Sequence, residues 1–426
     1  MNKVKSRALS ALLIAVALVV GLSVYLVKLA DNGGKWATYF TGSAPGGAVT
    51  DRNGVTLYSS QDGKASFAED WAIRVSNYHL IGDLNGSVGT GVLHQFSDRL
   101  SGYNFVTGTS KSRTLSLTVD AKLNLTAYSA LGGRSGAVMV MNYKTGEVLC
   151  MTSSPADDPA NPSTAPADGT YLNKCLSSSF TPGSIYKLIT QAAAIENIPD
   201  LYTRQFYCTG SSQVDGATLN CNGVHGYQTI EQALANSCNV AFGELSLELG
   251  AEKLAEYAEK FGLTTQHDLS GIPTAAGAFD LGKTGSIDEA WSGIGQYNDL
   301  VNPYAMLRYV SAIANGGELC EPTLLPRRLP GRSTELLPPD TAGQIADMME
   351  YNVQNSYGSW SFPGLAICAK SGTAELGDGT SHAWFTGFLK DDAHPYAFVV
   401  VIEHGGGGLK NAGAVANAVL QAAVAG

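Results

Sequence analysis

The sequence predicts an α+β fold: one sheet closed by distant stretches of chain, with a helical lobe against it, behind a single membrane-spanning helix. Three observations carry this. Strand-like runs lie at 136–152 and again at 365–402. Helical patterns dominate from about Ser184 to Phe261 and recur at Pro303–Ala314 and Asp340–Asn352, between the two sets of strands. The run Ala8 to Val27 carries no charge, and at 1.5 Å per residue it reaches about 30 Å, the thickness of a bilayer core.

Lys3, Lys5 and Arg7 precede the apolar run; this positive flank predicts a cytoplasmic tail at 1–7, a transmembrane helix at 8–27 and the rest of the chain outside. A cleaved signal peptide has a shorter apolar core and a small-x-small cleavage site, whereas this run ends in Val27-Lys28-Leu29-Ala30. Residues 28–46 are polar and Gly-containing and are expected to be a linker. Gly47 begins a hairpin pattern that turns at Arg52-Asn53-Gly54, opening a small accessory module at 47–114. The main domain is expected at 115–426. There Leu115 to Val119 alternates as a strand, and Asp120 can cap a helix running to about Leu131. Tyr143-Lys144-Thr145-Gly146 joins two strands, Gly136–Asn142 and Glu147–Thr152. Helices are expected over Ile230–Leu249, Glu252–Phe261, Pro303–Ala314 and Asp340–Asn352. Strands are expected at Leu365–Ala369, Trp384–Leu389 and Tyr396–Ile402, then a last helix from Asn411.

Composition narrows the class. In 426 residues, 44% are apolar and 15% charged, enough for a large core and too little charge for disorder. The net charge of −10 disfavours nucleic-acid binding. Seven cysteines are too sparse for a disulfide scaffold. Outside the membrane, Cys208 and Cys221 can pair in a Gly/Ser-rich hairpin, or stay free thiols. Cys150, Cys238 and Cys368 read as small core residues. No cysteine or histidine cluster has zinc spacing along the chain. His225, His382 and His404 have no acid partner at a telling spacing and read as structural.

Three short motifs carry chemistry. Ser184 and Lys187 lie in Thr181-Pro182-Gly183-Ser184-Ile185-Tyr186-Lys187, at a helix start where a lysine three residues on shares the serine's face. A serine needs a base to become a nucleophile, and a lysine is one only when its pKa is lowered. Ser237 and Asn239 flank Cys238; their groups can relay a proton and hold an amine. Lys370, Ser371, Gly372 and Thr373 follow an apolar strand, and suit close backbone approach to an anionic ligand. Taken singly, each also reads as a capping serine, a helix surface or a solvated strand end.

In this order, S-x-x-K, S-x-N and K-[ST]-G resemble the penicillin-recognising serine acyltransferases. The chain is similar in particular to the membrane-anchored, monofunctional class B penicillin-binding proteins. Asp51-Arg52-Asn53-Gly54, Leu117 to Asp120, Ala137 to Pro155, Gly293 to Gln296, Ala314 to Gly317 and Ala383 to Phe388 match further landmarks. Gly46 stands where the family usually has Arg, Ser371 where Thr is commoner, and the segment before the main domain is short for a pedestal.

The resemblance implies an antiparallel sheet flanked by helices with an all-α lobe. It also implies a peptidoglycan D,D-transpeptidase. Lys187 would deprotonate Ser184, which would attack the carbonyl between two terminal D-alanines. Ser237 would relay the proton, Asn239 would hold Lys187, and Lys370, Ser371 and Thr373 would hold the terminal carboxylate. The N–H groups of Ser184 and Thr373 would form an oxyanion hole. No metal or cofactor is implied. Expected partners are peptidoglycan stem peptides, lipid-linked or in nascent glycan, β-lactam antibiotics, and a polytopic glycan polymerase serving elongation, division or sporulation. The alternatives are a carboxypeptidase or β-lactamase on the same fold, and a non-enzymatic β-lactam sensor.

Overall fold

A computed structural model describes residues 2–41, 46–61, 64–102, 111–327 and 331–426. Helix α1 (Asn2–Thr41) contains the apolar stretch Arg7–Lys28, long and apolar enough to cross a membrane, with a mean hydropathy of 2.6 and none of it buried. The helix runs on through the stretch expected to be a linker, up to Thr41. Gly33 and Gly34 weaken helix propensity there without removing a backbone donor, so the ladder can persist.

Strands β1 (Gly47–Thr50), β2 (Thr56–Gln61), β3 (Lys64–Phe67) and β4 (Thr114–Ser116) form a sheet in the order β3-β2-β1-β4. The first hairpin therefore gains a third strand, and the strand expected at 115–119 joins this sheet, parallel to β1. The turn after β1 fastens the sheet to the main domain. The buried Asp51 carboxylate accepts from Asn53 N (2.9 Å), Val55 N (2.8 Å) and Ala121 N (3.1 Å). Asn53 Nδ2 donates to Asp120 (2.8 Å). Asp120 in turn caps helix α2 (Ala121–Leu131), accepting from Lys122 N and Leu123 N, and Gly132 closes it in a left-handed conformation.

The main sheet has five strands: β5 (Gly136–Asn142), β6 (Val148–Ser154), β7 (Ile367–Glu375), β8 (Ser381–Leu389) and β9 (Tyr396–Ile402). All pairs are antiparallel, in the order β7-β8-β9-β5-β6. The seam is β9 against β5, from Tyr396 opposite Asn142 to Ile402 opposite Gly136. Alternation sorts the side chains. Ala137, Met139, Met141, Val399 and Val401 pack toward the helical lobe, while Val138, Val140, Phe398, Val400 and Ile402 pack toward the C-terminal helix. Burial on both faces explains why these strands read as apolar runs rather than alternating ones.

The lobe contains α3 (Lys187–Asn197), α4 (Asn239–Leu249), α5 (Pro303–Ala314) and α6 (Pro339–Asn352), and α7 (Ala414–Ala425) covers the other face of the sheet. The helix expected over Ile230–Leu249 is two helices. The first ends at Ala235, Ser237 adopts a positive φ of 52°, and Cys238 caps α4. The run Asn236-Ser237-Cys238-Asn239 is poor in helix formers, and the Cys238 thiol takes the Ala241 N–H and starts a new helix. Short hairpins at 206–228 lie beside this break. Lys370 to Thr373 sit within β7 rather than at its end, because the strand runs on to Glu375.

Candidate active site

Ser184 lies in a single 3-10 turn, Gly183–Ile185, that leads into α3. Gly183 has φ +55°, and a Cβ there would stand 2.8 Å from Thr373 O. Only glycine lets this turn rest directly on β7. The turn is held from behind by Gly183 N donating to Gly295 O (2.7 Å), and by Trp384 Nε1 donating to Thr181 O (2.9 Å). Gly295, at φ +78°, passes so close that a Cβ would collide with Gly183 O. The landmark segments at 293–296 and 383–388 therefore position the serine.

The structure brings Ser184, Lys187, Ser237, Asn239 and Lys370 together. Lys187 Nζ, wholly buried, lies 3.0 Å from Ser184 Oγ, 2.7 Å from Ser237 O, 3.2 Å from Ser237 Oγ and 2.8 Å from Asn239 Oδ1. The break before α4 makes this possible: the positive φ at Ser237 turns its carbonyl and hydroxyl toward the lysine, and Asn239 follows on the first turn of α4. Lys370, also wholly buried, donates to Ser237 Oγ (3.0 Å) and Ser371 O (2.8 Å). One hydroxyl thus joins the two lysines. Burial lowers Lys187 to about 7, and the sulfurs of Cys238 and Cys221 act in the opposite direction. Burial, and then the charge of Lys187, push Lys370 well below the usual lysine value.

β7 is an edge strand of its sheet. Ser371 N donates to Tyr357 Oη (2.9 Å), so Ser371 turns its backbone to the outer edge of the sheet. Backbone groups alternate along a strand, so the Thr373 N–H points the same way. With its amide turned to bond, Gln296 meets the next edge residue, Glu375, at 3.1 and 3.2 Å. The Ser371 hydroxyl lies 3.1 Å from Tyr357 Oη, and Thr373 Oγ1 accepts from Gly408 N (3.1 Å). Gly372 packs on Pro182 and Ile185, where a Cβ would meet the Pro182 carbonyl. Sequence reasoning missed Tyr357 and Gln296's part, since a lone tyrosine or glutamine carries no spacing signal.

The cysteines depart from expectation. All seven are free thiols, so Cys208 and Cys221 form no disulfide. Instead the donor atoms of Cys208, Cys221, His225 and Cys238 all lie within 4.8 Å of one another. The hairpins at 206–228 fold three of these donors onto the fourth, a clustering that linear spacing conceals. Cys238 is therefore not simply a packed core residue, nor is His225 isolated. His404 also has an acid neighbour, Asp378, at 3.8 Å.

Residues 136–421 match the family model for the penicillin binding protein transpeptidase domain. Stage V sporulation protein D of Bacillus subtilis is 33% identical over 333 residues, covering 71% of this chain but only 51% of that protein. The chain thus spans about half the length of that relative. Peptidoglycan D,D-transpeptidase PbpA of Mycolicibacterium smegmatis is 27% identical over 384 residues, covering 78% of this chain and 77% of the relative. Among solved structures, the D,D-transpeptidase domain of a peptidoglycan glycosyltransferase from Eggerthella lenta superimposes with a TM-score of 0.74 at 26% identity, covering 90% of this chain and 98% of the other. The penicillin G acyl-enzyme complex of penicillin-binding protein A from M. tuberculosis shares the fold, with a TM-score of 0.74 at 23% identity over 90% of this chain and all of the other.

Proposed function

The chain belongs to the penicillin-binding protein transpeptidases, and from that premise we propose that it cross-links peptidoglycan stem peptides through a Ser184 acyl-enzyme. One observation carries the reading: a buried Lys187 whose amine sits 3.0 Å from the Ser184 hydroxyl, with partners arranged for a neutral base. A neutral amine has two N–H bonds and one lone pair. The N–H bonds go to Ser237 O and Asn239 Oδ1, at 2.7 and 2.8 Å. The lone pair is left for the Ser184 proton.

Charge assigns the second lysine. Two full ammonium groups bridged by one hydroxyl repel each other in a buried site. A substrate carboxylate arriving at Lys370 favours the charged form there. That positive charge then holds Lys187 neutral, so binding of an anionic terminus primes the base. The Ser371 and Thr373 hydroxyls complete the carboxylate site. The Thr373 backbone, on the outer edge of β7 between the Tyr357 and Gln296 contacts, can pair with an extended peptide.

Ser184 Oγ attacks the carbonyl between the terminal D-alanines while Lys187 takes its proton. The negative charge on the tetrahedral oxygen is held by the N–H groups of Ser184 and Thr373. The C–N bond then breaks, and the proton passes from Lys187 through Ser237 Oγ to the departing D-alanine amine. An amine from a second stem peptide attacks the ester, releasing the cross-linked product and returning the proton to Ser184. A β-lactam acylates the same hydroxyl.

α1 anchors the protein as a single span with Lys3, Lys5 and Arg7 on the cytoplasmic side, so the catalytic domain faces peptidoglycan precursors outside. By family analogy the partner in the membrane is a polytopic glycan polymerase.

Intact mass after incubation with penicillin G tests the assignment. One adduct per chain is expected, mapping to the peptide with Ser184 and persisting for minutes or longer. An adduct on Ser184→Ala would remove the nucleophile from this site. Loss of the adduct well within a second would reassign the protein to the hydrolases.

A further inference from the structure

We propose that Cys208, Cys221, His225 and Cys238 bind a structural zinc ion that fastens the hairpins at 206–228 to the Ser237–Asn239 turn. Three observations converge. The four donor atoms lie within 4.8 Å of one another. Cys221 Sγ is 3.8 Å from Cys238 Sγ and 3.6 Å from His225 Nδ1. Bonds of about 2.3 Å to sulfur and about 2.0 Å to nitrogen at the corners of a tetrahedron give separations of about 3.8 and 3.5 Å. Each sulfur also receives a backbone N–H: Cys208 from Gly210 (3.4 Å), Cys221 from Asn239 (3.2 Å) and Cys238 from Ala241 (3.5 Å). Such donors stabilise thiolates rather than thiols.

Donor chemistry selects the ion. Three thiolates and an imidazole suit a soft, tetrahedral divalent cation; calcium and magnesium require oxygen ligands. When the ion binds, three S–H bonds lose their protons to solvent and three Zn–S bonds form, joined by the His225 Nδ1 lone pair. The site then carries one net negative charge. Its four positions are filled by protein, so it has no place for an activated water and its role is structural. Cys208 and Cys238 are wholly buried, while Cys221 and His225 are half-buried and leave a route for entry.

The position gives the ion its consequence. Cys238 stands between Ser237 and Asn239, and the Asn239 N–H bonds Cys221 Sγ while its side chain holds Lys187. Ser237 keeps a left-handed φ of 52°, costly for a residue with a side chain. A cross-link at the next residue over-determines that turn. The metal claim stands apart from the transpeptidase reading, because metal is measured directly.

The full chain, purified without chelator and with thiols reduced, is assayed by elemental mass spectrometry. About one zinc per chain is expected. Cobalt(II) substitution should yield thiolate charge-transfer absorption in the near ultraviolet. Cys221→Ser should lose the metal. His225→Ala, at a half-buried position that does not depend on the core, should keep the fold by circular dichroism and bind zinc at least about tenfold more weakly. Wild-type protein without stoichiometric zinc, with another metal in its place, or with Cys208 and Cys221 joined in a disulfide on peptide mapping would overturn the proposal. So would a His225→Ala chain that is folded and retains zinc at unchanged affinity.

Discussion

At the scale of single residues, chemistry depends on what surrounds Lys187. Its stem is fully buried and its amine is shared among four polar atoms on three residues. Burial favours the neutral form and lowers it to about 7. The base works when deprotonated, so penicillin acylation should climb with pH, about tenfold per unit below the midpoint near 7, and level off above it. Fluorescent-penicillin acylation rates from pH 5.5 to 9 check this; a flat or falling curve would remove Lys187 from the role of base. The three motifs were legible in the sequence because each keeps a fixed spacing within one turn or strand. Tyr357 was not, and Gln296 was read only as part of a landmark segment, since both reach β7 from segments with no spacing relation to it.

At the scale of elements, the short ones do the positioning. The turn at Asp51 to Gly54 folds over the start of α2 and shares its cap. Asp120 accepts from Lys122 N, Leu123 N and Asn53 Nδ2. Replacing Asp120 by Ala removes the cap and frees Asn53. The expected cost is about 1–2 kcal/mol, or about 1.5–3 °C in Tm for a domain of roughly 310 residues. Differential scanning calorimetry reads it, with penicillin acylation left at the wild-type rate. The break between the helices at Ala235 and Asn239 illustrates the opposite case. Ile230 to Leu249 reads as one helix by pattern, yet a positive φ at Ser237 splits it. Local propensity is a weak prior, and the contacts of the turn with Lys187 and the thiol cluster outweigh it.

At the scale of the whole molecule, two features govern behaviour. The sheet closes through β9 against β5, so the chain must bring residues near 140 and 400 together before the lobe has a floor. α1 presents an exposed apolar surface from Arg7 to Lys28 that water does not tolerate. The full chain should sediment with membranes and resist extraction by salt and alkaline carbonate, while a chain beginning at Gly46 should remain in the supernatant. A full-length protein extracted by salt alone would mean that α1 does not span.

The sequence by itself determined the α+β class, the apolar span, most helix and strand positions and the three short motifs that meet at the candidate site. These depend on periodicity and on spacings of a few residues, which survive in one dimension. Only the tertiary structure decided which distant groups meet. It put Lys370 on the same hydroxyl as Lys187, left β7 at the edge of its sheet with Tyr357 and Gln296 against it, and gathered three cysteines and a histidine where the sequence suggested a pair and a scatter. The physical reason is that such contacts are made by chain reversals and a broken helix, whose geometry is set by packing rather than by neighbouring residues.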